Sequence, residues 1–97
     1  MISHALLRRK LSKVSAELRR LREELEVVEH QLVYVTEVAE QAETRSIVSD
    51  DPTASHEARE ATKDLTATTR DRDAKRARIE MLEAKQDELL DKMTKVT

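Results

Sequence analysis

The chain has 97 residues, 39% charged and 38% hydrophobic, with one tyrosine, one proline, no other aromatic and neither glycine nor cysteine. That length holds one domain burying proportionately little surface, and the near absence of aromatics excludes a globular core of the usual kind. Missing glycine excludes the tight turns of dinucleotide-binding, P-loop and nucleophile-elbow motifs; missing cysteine excludes disulfides, thiolate zinc sites and thiol nucleophiles; and a net charge of −2 predicts no bulk attraction to nucleic acid or anionic membrane.

At the N-terminal end a short apolar stretch, Ala5 to Leu7, precedes Arg8, Arg9 and Lys10. This is the wrong order for a secretory signal, and no run of about 18 apolar residues exists anywhere, so the expectation is a cytoplasmic chain with no membrane span. From Leu7 onward apolar residues recur in steps of four and three: Leu7, Leu11, Val14, Leu18, Leu21, Leu25, Val28, Leu32, Val35, Ala39 and Ala42. A repeat sustained over five heptads is a coiled-coil signal, longer than a single amphipathic helix needs. It predicts a helix over about residues 3–47.

The pattern stops in a segment of different chemistry. Asp51 followed by Pro52 fits a helix N-cap with proline in the first turn, where its missing N–H is not needed. A tip loop over about 48–52 and a second helix over about 53–96 follow. The second repeat is weaker: Ala58, Ala61, Leu65, Thr68, Arg72, Lys75, Ile79, Leu82, Gln86, Leu89, Met93 and Val96. Thr62 to Thr69, rich in β-branched threonine, is its weakest stretch by helix propensity and the place where it would bend or fray. Folding the chain near residue 50 matches the two series layer by layer, from Leu7 with Met93 through Leu18 with Leu82 to Ala42 with Ala58. The expected fold is all-α: residues 1–97 form a single long antiparallel coiled-coil helical hairpin.

Charge supports the same orientation. Residues 1–24 carry a balance of +4 and residues 79–97 a balance of −2, while residues 25–51 carry −6 and residues 65–78 carry +3. Folding at the tip sets opposite signs side by side, selecting orientation more than supplying stability. Three middle layers are mismatched, however: Leu25 with Lys75, Val28 with Arg72 and Leu32 with Thr68. The first helix also carries a second stripe here, Val27, Gln31, Tyr34 and Val38, with Val33 beside it. A helix apolar on more than one face has more than one partner. The expected self-association surface is therefore Val27, Val28, Gln31, Leu32, Tyr34 and Val38, joining two hairpins into a four-helix homodimer. The competing expectation is that the long Arg72 and Lys75 stems cover the mismatch and leave a monomer.

Candidate chemistry is sparse. Arg8, Arg9, Lys10 and Lys13 are candidates for contacting an acidic partner, although Glu88 and Asp91 are expected opposite them. Arg70 to Arg78 is basic, but Asp71 and Asp73 interrupt it and no aromatic is near for base stacking, so a salt-bridged solvated face is expected and nucleic acid is not. His4, His30 and His56 are spread along helices that would each be about 68 Å long, and His56 with Glu60 supplies too few ligands for a zinc site. No nucleophile, base and orienting group assemble, so the expectation is no enzyme, no metal and no cofactor. Asp50 and Asp51 mark the tip. A hairpin with paired tip carboxylates resembles in outline the N-terminal hairpin of Gre-type transcript-cleavage factors. That resemblance implies an alternative function, a transcription modulator that enters the RNA polymerase secondary channel and helps hold a catalytic magnesium. The leading expectation is a non-catalytic protein-interaction or scaffolding module that self-associates.

Overall fold

The computed structural model describes residues 3–96, with side chains as far as Lys95, so Val96 as a seam residue lies outside the described side chains. Two helices, α1 (His4–Val48) and α2 (Pro52–Val96), each of 45 residues, run antiparallel as a helical hairpin with no strand among the described residues. The all-α class and both helix boundaries agree with the heptad pattern to within about one residue, the usual uncertainty of a helix end.

Local chemistry sets the helix ends. The Ser3 hydroxyl accepts the Leu6 N–H at 3.1 Å and caps α1. At the tip the Ser49 N–H donates to the Arg45 carbonyl at 3.0 Å, and the Ser49 hydroxyl accepts the Asp51 N–H at 3.1 Å. The Asp51 carboxylate then accepts the Thr53 N–H at 3.0 Å, capping α2 with Pro52 in its first turn. No described residue has a positive φ. The reversal therefore needs no glycine, because serine and aspartate side chains satisfy the helix ends that a left-handed cap would otherwise close.

The threonine-rich stretch of α2 runs as unbroken helix. Thr62, Thr66, Thr68 and Thr69 each donate their hydroxyl to the carbonyl four residues back, at 2.8–2.9 Å, so polar groups that compete with helix formation are absorbed by the helix itself.

Every seam position of α1 from Leu7 to Ala42, and of α2 from Ala58 to Met93, is buried or half-buried. The chain packs as two units, Met1–Leu25 with Lys75–Thr97, and Glu26–Ala74. In the first unit Leu18, Leu21, Ile79 and Leu82 form the core, with Val14 and Leu25 packed against it. The polar Gln86 fits because its Nε2 donates to the Ser15 hydroxyl at 3.1 Å. In the second unit the core is four alanines, Ala39, Ala42, Ala58 and Ala61, with Val38 and Leu65 against it.

The mismatched layer at Val28 is closed by the chain itself. Val28 is only 5% exposed. Arg72 is half-buried, its guanidinium held by the Asp73 carboxylate at 3.0 Å, which keeps its charge paired. Leu32 and Thr68 are likewise half-buried.

Flanking ion pairs depart from simple block matching. Arg22–Glu83, at 2.9 Å, follows the expected polarity, whereas Glu17–Arg78 at 3.2 Å and Arg45–Glu57 at 4.0 Å run against it. Near the end of α2 the carboxylates pair within their own helix: Glu88 with Lys85 and Lys92, and Asp91 with Lys95. Helix geometry already sets residues three and four apart side by side, so such pairs form with less ordering than a contact across the seam.

Candidate functional site: the outward faces of the helices

The expected self-association residues divide into two sets. Val28 and Leu32 belong to the seam between α1 and α2, and Val38 is half-buried against the alanine core. Val27, Gln31 and Tyr34 face outward. Val27 is 56% and Tyr34 68% exposed, and they lie seven residues apart, two helical turns along one face. Val33 is also exposed, about 100° around the helix from Tyr34. Large apolar side chains on an element whose seam is already filled are the feature of this fold that its own packing does not use.

At the tip, Asp50 is exposed, while the Asp51 carboxylate is engaged with the Thr53 N–H. The two aspartates are thus unequal in role. Among the described residues no group of three or more His, Cys, Asp or Glu side chains is placed to hold a metal ion.

Arg8, Arg9, Lys10 and Lys13 are all exposed. Glu88 and Asp91, expected to lie opposite them, are taken by lysines of α2, and among the described residues no carboxylate pairs with these four cations. Hydrogen bonding from Lys92, with the positive charges of Lys85 and Lys92 nearby, holds the Glu88 carboxyl below its ordinary pKa. In the basic stretch of α2, Arg72 is tied to Asp73 and Arg78 to Glu17, which fits a salt-bridged face.

Further exposed apolar residues were not singled out from the sequence: Leu6, Ile47, Val48, Met81 and Leu90. Met81 is the informative one. It shares a surface groove with Lys13, Val14, Glu17, Arg78, Leu82 and Lys85. Its signal was available, since Met81 stands two places after the seam residue Ile79, the same offset that Val27 has from Leu25 and Tyr34 from Leu32.

No helix among the described residues is long and apolar enough to cross a membrane. The sequence matches no protein-family model, no curated protein and no solved structure.

Proposed function

We propose that the chain is a non-catalytic protein-interaction or scaffolding module, a coiled-coil hairpin that self-associates as a homodimer through the outward face of the middle of α1. The observation that carries this is the exposure of Val27 and Tyr34 on a helix whose other apolar side is already buried against α2. Burying each of these side chains contributes roughly 1.5–3 kcal/mol, enough for two or three such residues per copy to offset a useful part of the cost of association. Because the seam is complete within one chain, the outward face can be altered without disturbing it. V27E/Y34E should therefore keep the helicity of the parent chain and lose self-association, as read by sedimentation equilibrium at tens of micromolar. Unchanged association of that variant would refute the assignment of the face.

The alternative, a transcription modulator using an acidic tip against RNA polymerase, draws support from the exposed Asp50 alone, since capping accounts for Asp51. Asp50→Asn separates the two readings: polymerase-dependent activity would fall under the alternative, and self-association is expected to be untouched.

A further inference from the structure

The first turns of α1 hold cations for which the fold supplies no counter-charge. Residues 3–16 include Arg8, Arg9, Lys10 and Lys13 and no acidic residue. All four side chains are exposed. The first carboxylate along α1, Glu17, is held by Arg78 at 3.2 Å, with Arg20 at 3.9 Å. On α2 of the same packing unit, Glu83 is taken by Arg22, Glu88 by Lys85 and Lys92, and Asp91 by Lys95. Among the described residues no carboxylate pairs with Arg8, Arg9, Lys10 or Lys13. Arg9 and Lys13 are four apart and Lys10 and Lys13 three apart, so three like charges share one side of the helix and repel one another. Leu6, 38% exposed, lies on that side as well, three and four residues before Arg9 and Lys10. From Leu6 to Lys13 the row is about 10 Å long.

We propose that this row is a docking surface for a short acidic peptide segment of a partner protein, its carboxylates meeting Arg9, Lys10 and Lys13, with Arg8 beside them and Leu6 as the apolar contact. Charge complementarity and size select this occupant. The row offers a handful of charges and stops at Glu17, whereas duplex nucleic acid carries a charge about every 1.7 Å and would run on over Glu17, Glu23 and Glu24. The one aromatic, Tyr34, belongs to the other unit, so no base can stack beside these cations. A helix lying on a membrane needs a wide apolar face, and here that face is turned to α2: Leu7 and Leu18 are buried, and Leu11 and Val14 half-buried. The surface is separate from the Val27–Tyr34 face, and neither reading depends on the other.

Fluorescence anisotropy tests the docking, with a fluorescein-labelled peptide of about eight residues, mostly glutamate with one leucine, as the probe. The parent chain should bind it at low salt and lose affinity as salt rises. R9E/K10E/K13E should raise the dissociation constant about tenfold or more. R59E/K63E/R70E changes the net charge of the chain equally but alters exposed cations of the other unit, and should shift the constant by no more than about twofold. V27E/Y34E should bind the peptide like the parent, which keeps this test distinct from that of self-association. In the parent chain itself, NMR amide shifts on adding the peptide should cluster at residues 6–13. Shifts centred elsewhere, equal losses in the two triple variants, or no binding by the parent would overturn the proposal. Tighter binding through the same residues to phosphatidylserine vesicles or to a short RNA duplex would overturn the peptide as the occupant.

Discussion

Asp51 does two jobs through one side chain. It ends the tip and, by accepting the Thr53 N–H, supplies a partner to an α2 end that would otherwise present unpaired donors. Asp51→Ala should lower stability by about 1 kcal/mol in chemical denaturation, while Asp50→Ala, which removes no cap, should change it much less. Glu88 gives a second prediction at this scale. Its carboxyl titrates below the ordinary glutamate value because Lys92 and Lys85 stabilise the anion. Since the folded pKa is the lower one, any contribution of the cluster is present at neutral pH and is lost as pH falls through the folded value. NMR titration should show the Glu88 midpoint depressed, and Lys92→Met should raise it. Arg72 shows how a polar residue occupies a seam: it is half-buried while Asp73 holds its guanidinium.

At the scale of the helices, the two units rely on different packing. Leu18, at 0% exposure, is enclosed by Leu21, Ile79 and Leu82, and Leu18→Ala should cost about 2–5 kcal/mol through lost burial and the cavity left behind. The other core is built of four small alanine side chains. Ala42→Leu should be destabilising by about 1–3 kcal/mol through overpacking, although it adds apolar surface. Urea denaturation of both variants checks the contrast. The positions of these cores were legible in the sequence because seam burial follows directly from heptad spacing, and the matching of Leu18 with Leu82 and Ala42 with Ala58 followed from placing the turn at Asp51-Pro52. Ion-pair choice was not legible. Glu88 had cations available both across the seam and on its own helix, and only geometry shows that Lys85 and Lys92 take it. The same limit hid the division of the middle stripe: spacing sets Val27, Gln31, Tyr34 and Val38 on one row, and only side-chain packing shows Val38 half-buried and Val27 and Tyr34 exposed.

For the molecule as a whole, the surplus of apolar residues on α1 is smaller than the mismatched layers suggested, because Val28 is buried and Leu32 half-buried within the chain. Val27 and Tyr34 stand exposed two helical turns apart on one face of α1. A module working by association needs such a face and no pocket, metal or nucleophile, and its recognition should be sensitive to salt where charge complements charge. The most direct measurement is sedimentation equilibrium of the parent chain at tens of micromolar in low salt, with V27E/Y34E beside it. A mass of twice the 11.2 kDa chain for the parent and of a single chain for the variant is the predicted result. A parent chain that sediments as a monomer throughout, or a variant that associates as the parent does, would contradict self-association through this face.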